Sequence, residues 1–109
     1  MISELNKIDF LTKPHDENRI SLVVTDHLEW ATNEGEHLLM LQQKLNNYLY
    51  YIESGRLAVD YPQYKGMPVT IEVIGKFPLS EEAAKFYSLA KARIAEIGFS
   101  LQFTHSPKE

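Results

Sequence analysis

The densest chemistry in the sequence lies in one stretch, Asp26, His27, Glu29, Glu34, Glu36 and His37. Carboxylates and imidazoles are the ligands that a zinc, manganese or iron ion takes. Asp26, His27, Glu36 and His37 are therefore candidate ligands, if a strand end and a helix start bring them together. Their spacing matches no metal motif: there is no His-x-x-x-His and no His-Glu-x-x-His. Acidic residues at a helix start are also expected from capping and from the helix dipole alone. The leading expectation is thus a solvated, capping role with no catalytic residue and no cofactor. A small metal-dependent enzyme or metal-binding protein is the alternative.

Other chemistries have less support. Ser21, Ser54, Ser80 and Ser100 lack a Gly-x-Ser-x-Gly elbow around them. The five glycines, Gly35, Gly55, Gly66, Gly75 and Gly98, are scattered and form no phosphate-cradling loop. The chain has no cysteine, which excludes disulfides, thiol catalysis and cysteine-ligated zinc. A net charge of −4 with dispersed basic residues argues against nucleic-acid binding. No stretch approaches a membrane-spanning helix, and the first residues lack a signal peptide's apolar run. The expected location is the cytoplasm.

Aromatic residues point either to a partner surface or, for Tyr61 and Tyr64, to a cluster folded back over the helix. Tyr50 and Tyr51 sit late in the first expected helix, and Tyr61 and Tyr64 follow it. Tyrosine suits interfaces because it joins apolar area to a polar tip. Trp30, at the approach to that helix, is either a plug under the corner or an anchor for a partner. On the open side of the sheet, Leu11, Val23 and Ile74 form an apolar patch with a polar rim, either a candidate homodimer face or an ordinary solvated face.

A chain of 109 residues, 44% hydrophobic and 24% charged, suits one globular domain over residues 1–109. The hydrophobic periodicity predicts the elements that must position these groups. Strands are expected over Lys7 to Thr12, with Ile8 and Phe10 facing the core, and over Arg19 to Thr25. The polar, proline-containing segment 13–18 between them reads as a hairpin loop. Asn33 and Glu36 resemble a capping box. They open a helix whose stripe is Leu38, Leu41, Leu45, Tyr48, Leu49 and Ile52, stopped by Gly55. One helical turn at Leu57 to Val59 and a turn at Lys65-Gly66 lead to a strand over Met67 to Phe77, with a bulge at Gly75. Ser80 caps a second helix whose apolar face is Ala83, Phe86, Tyr87, Ala90, Ile94 and Ile97. Gly98 ends it in a Schellman turn, and Phe99 to Thr104 is the last strand.

The element order is ββαβαβ. Each strand shows one apolar and one mixed face. The expected fold is therefore an α+β two-layer sandwich, a four-stranded mixed sheet with two helices on one face.

The runs Asp26-His27-Leu28-Glu29-Trp30, Glu36 to Leu49 and Ile52-Glu53-Ser54-Gly55 resemble a family of small bacterial proteins classed as a domain of unknown function. The likeness continues through Pro62 and Val69 to Val73 into the last helix. It implies a bacterial, cytoplasmic, single-domain protein and carries over no catalytic residue or ligand.

The leading functional expectation is a non-enzymatic interaction domain that binds a protein partner or itself as a homodimer. Its interaction residues would be Trp30, Tyr50, Tyr51, Tyr61, Tyr64, Val23 and Ile74. Besides the metal reading, an acidic immunity-type protein neutralising a basic partner is an alternative. A small-molecule pocket lined by Trp30, Tyr48 and Phe86 is another.

Overall fold

A computed structural model describes residues 1–4, 7–13 and 18–108. Strand β1 is Phe10–Thr12 and β2 is Ile20–Asp26. Helix α1, Glu34–Glu53, is followed by the short α2, Arg56–Asp60, and a 3-10 turn at Pro62–Tyr64. Then come β3, Val69–Gly75, helix α3, Glu81–Ile97, and β4, Ser100–His105. The four strands form one mixed sheet in the order β1-β2-β3-β4. β1 and β2 are antiparallel, while β2/β3 and β3/β4 are parallel. The protein is thus of the α+β class, with three α-helices and a four-stranded sheet, and the expected element order roughly holds, the turn expected at Leu57 to Val59 being α2 and the 3-10 turn after it being extra.

The core gathers Ile20, Leu22 and Val24 of β2, Ile71 and Val73 of β3, and Leu41 and Tyr48 of α1, all fully buried. One expectation fails on β2. Ser21 and Val23 on its alternate side are 1% and 3% exposed, so this strand is covered front and back. It is an inner strand, with β1 and β3 on its flanks. The Arg19 guanidinium also reaches across to Ser21 Oγ at 2.6 Å.

β1 is shorter than expected and reversed. Phe10 is 45% exposed, while Leu11 packs on the core. Lys7 to Asp9 are not strand, because their polar groups are taken up by Lys44 and Tyr48 of α1. Residues 14–17 of the expected hairpin loop lie outside the described residues.

Helix ends follow local chemistry at most points. Ser80 caps α3, its hydroxyl accepting from the Ala83 N–H at 3.1 Å. At the other end Gly98 has φ 102°, and the N–H groups of Gly98 and Phe99 donate to the carbonyls of Ala95 and Ile94, the paired bonds of a Schellman turn. Ser80→Ala is expected to destabilise the fold by about 1 kcal/mol, read as a lower midpoint in urea with an unchanged slope.

Two local expectations are corrected. Asn33 makes no side-chain cap; it sits in the left-handed region at φ 56°. In that conformation the capping box with Glu36 does not form. Gly75 is no bulge either, since it stays in register between Asp26 and His105. A Cβ there would lie 2.6 Å from Cε1 of Phe103, so glycine marks a close approach.

Candidate functional site

The β2-to-α1 corner holds the chemistry. Asp26 is the last residue of β2, and His37 lies in the first turns of α1. Both side chains are 2% exposed, and His37 Nε2 is 2.6 Å from Asp26 Oδ2. The other carboxylate oxygen, Oδ1, accepts the Leu28 N–H at 3.1 Å and so shapes the turn that follows. His37 Nδ1 lies 3.3 Å from the Glu29 carbonyl. Trp30 stacks on the His37 ring with centroids 3.5 Å apart and planes 11° from parallel. Both ring nitrogens and one face of the imidazole therefore meet a neighbour, and the corner is locked.

A cavity of about 350 Å³ opens beside this lock, lined by His27, Leu28, Glu29, Thr32, Asn33, Glu36, His37 and Met40. It lies at the carboxyl end of β2, the end where open parallel sheets place ligands. The structure thus brings His27, Glu36 and His37 to one cavity, with Asp26 behind His37. Among the described residues, though, no three His, Asp or Glu side chains are placed to hold a metal ion. Asp26 and His37 face each other instead, while His27 and Glu36 are exposed.

Tyr87 belongs to the same neighbourhood. Its hydroxyl is buried with no hydrogen-bond partner among the described residues. Burial, and then the charge of Asp26, push that hydroxyl well above its ordinary range.

A second buried polar cluster escaped sequence reasoning. Lys44 is fully buried in α1, and its Nζ donates to the Glu4 carbonyl, to the Lys7 carbonyl at 2.6 Å and to Asp9 Oδ1 at 2.9 Å. Asp9 Oδ2 in turn accepts the Thr25 N–H at 3.0 Å. Tyr48 joins in, accepting the Asp9 N–H at 2.8 Å and donating to the Val23 carbonyl at 2.7 Å. Burial pushes the Asp9 carboxyl up, but the hydrogen bonds it accepts from the Met1 amino group, Thr25 and Lys44 outweigh that and hold it below 3.8. The missed signal was positional. His37, Leu41, Lys44, Leu45 and Tyr48 share one buried stripe, and a lysine on such a stripe has to find acceptors.

The aromatic candidates divide. Tyr51 donates to Asp60 Oδ2 at 2.8 Å, and Arg56 reaches the other oxygen at 3.2 Å. Burial, then the Asp60 hydrogen bond, raise the Tyr51 hydroxyl to about 12. Tyr61 and Tyr64 stack on each other at 5.9 Å, and Tyr64 packs on the core. Tyr51 also packs on the core, while Tyr61 stays 37% exposed. Tyr50 is 72% exposed. Trp30 and Val23, expected to offer area to a partner, are 5% and 3% exposed, because one lies on His37 and the other on an inner strand. Ile74 is half-buried. The suggested lining of Trp30, Tyr48 and Phe86 is broken up, since Trp30 lies on His37 and the Tyr48 hydroxyl is held by Val23 and Asp9.

Between α1 and α3 runs a groove of about 480 Å³, lined by Leu45, Leu49, Phe86, Ala90, Ile94 and Ile97 among others. Leu89 stands on it 71% exposed, and Ile97 is 45% exposed. No helix among the described residues is long and apolar enough to cross a membrane.

Fold and site together define an α+β protein built around a locked aspartate–histidine corner. The chain belongs to the family of unknown function DUF6572, whose model matches residues 1–107. No curated protein and no solved structure matches it.

Proposed function

We propose that this chain is a non-enzymatic interaction domain, one folded unit over residues 1–109, that associates with a second copy of itself in the cytoplasm. The observation that carries the reading is the groove between α1 and α3, with Leu89 left exposed along it. Arg93 alone carries charge among the described residues that line the groove. Covering it therefore desolvates little charge. Groove and protruding Leu89 belong to the same surface, so a two-fold axis lets each copy's Leu89 enter the other's groove, as a self-complementary patch requires.

The architecture behind this reading is a two-layer sandwich with the long helices on one face. The crossovers β2-to-β3 and β3-to-β4 step in the same direction along the sheet. Crossovers between parallel neighbours are almost always right-handed. Two such steps in one direction put their helices on the same side. That α1 and α3 share the walls of one groove supports this.

Against catalysis stands the lock at the corner, where Asp26 and His37 are turned to each other and away from solvent. The net charge of −4 supports a protein partner over nucleic acid. Sedimentation or light scattering over a concentration series tests the reading. A dimer is expected, with Leu89→Glu shifting it to monomer while the thermal transition stays in place. A strict monomer at the highest attainable concentration overturns it.

A further inference from the structure

We infer that residues 1–4 and 7–9 form a separable strap over the outer edge of β2, latched by the buried ammonium of Lys44. β1 covers only the first part of that edge, pairing Phe10 to Thr12 with Ser21 to Val23. Beyond it, at Thr25, the strap takes over without being a strand. The Thr25 N–H donates to the Asp9 carboxylate at 3.0 Å, and the Thr25 carbonyl accepts the Ile2 N–H at 2.9 Å. Two groups of a sheet edge that would otherwise recruit a foreign strand are thus satisfied from within the chain.

The latch is one-sided. All the hydrogen bonds that Lys44 Nζ makes among the described residues, to Glu4, Lys7 and Asp9, are with this strap. Ile2, fully buried, is the strap's apolar anchor. The segment has no ladder of its own; beside the anchor and the latch it is held by Ile8 on the core and by the bonds to Thr25 and Tyr48. Lifting it leaves β2, β3 and β4 paired with one another as before. Such a segment opens as its own unit, at lower free energy than the sheet.

Asp9 is faced by Lys44 and Tyr48 from α1, by Thr25 from β2, and by Glu4 and the Met1 amino group from the strap itself. Its carboxyl is held below 3.8 in the fold, so its contribution is complete above that value. The contribution is lost as pH falls through the folded value. Acid therefore loosens the latch.

Trypsin reads the opening directly. Lys7 has a 63% exposed side chain, yet its carbonyl is held by Lys44. The next lysine, Lys13, precedes Pro14, a bond trypsin leaves intact. In Lys44→Met, which keeps an apolar stem in place and removes all three Nζ bonds, cutting after Lys7 is expected to speed up at least about tenfold, the factor that one such bond alone carries. Helical circular dichroism and the bonds after Lys91 and Arg93 in α3 should stay intact. Asp9→Asn, a milder change, should move the rate the same way and decides the matter if Lys44→Met does not fold. In the unmodified protein, amide exchange should show Thr25 losing protection below pH 3.8 while Ile71 and Val73 in β3 keep theirs. Unchanged cutting after Lys7 in the folded variants overturns the inference. So does loss of protection at Thr25, Ile71 and Val73 together, which would mean the strap leaves only with the whole fold. Neither result bears on the α1–α3 groove.

Discussion

Asp26→Ala is expected to lower stability by about 1–3 kcal/mol, the range for leaving a buried polar group without its partner. The physical reason is what remains. His37, 2% exposed, would keep its place under Trp30 with no carboxylate at Nε2. The Leu28 N–H would lose its acceptor as well, so the turn after β2 loosens. Replacing both partners removes the penalty that replacing one creates. The double variant Asp26→Ala/His37→Leu should therefore be less destabilised than the sum of the single changes. Urea unfolding followed by circular dichroism checks this. A loss below about 1 kcal/mol, the range of a solvent-exposed pair, would contradict the locked corner.

Gly75→Ala is the second large effect, expected at about 1–3 kcal/mol, the range for overpacking a filled site. The new methyl would meet Phe103 Cε1 at 2.6 Å and Cζ at 2.8 Å. Whether that matters depends on whether the ring can swing away. It packs edge-on against Tyr87 at 5.3 Å, and Tyr87 is itself buried. The ring is therefore held, and the strain falls on the β3–β4 pair. Gly75→Ala combined with Phe103→Leu should recover much of the loss, since the shorter side chain vacates the contact. If the single change is neutral, the ring is free to move and Gly75 is not there for close approach.

Most of the framework was legible because it rests on local rules. Ser80 and Gly98 mark the ends of α3 through capping and the left-handed conformation, which need no knowledge of distant residues. The alternation in β3 and β4 and the mixed character of the sheet were equally accessible. What stayed hidden depended on contacts far apart in the chain. β1 could not be trimmed without knowing that Lys44, 35 residues away, draws in Asp9. Val23 reads as surface until β2 is known to be an inner strand. At the corner the sequence held Asp26 and His37 among six candidates of similar chemistry. Only the 2.6 Å contact separates the locked pair from His27 and Glu36, which stay at the cavity mouth. Gly75 misled because a bulge and a ring contact ask for the same small residue.

The strand order β1-β2-β3-β4 bears on how the sheet is made in a cell. Every strand is laid down beside the one synthesised just before it. A chain leaving the ribosome from its amino end can add each strand at the growing margin, and no later strand has to pry apart a pair already formed. Assembly can keep pace with translation, and the margin that waits longest for company is that of β2, until α1 and α2 have emerged and β3 reaches its side.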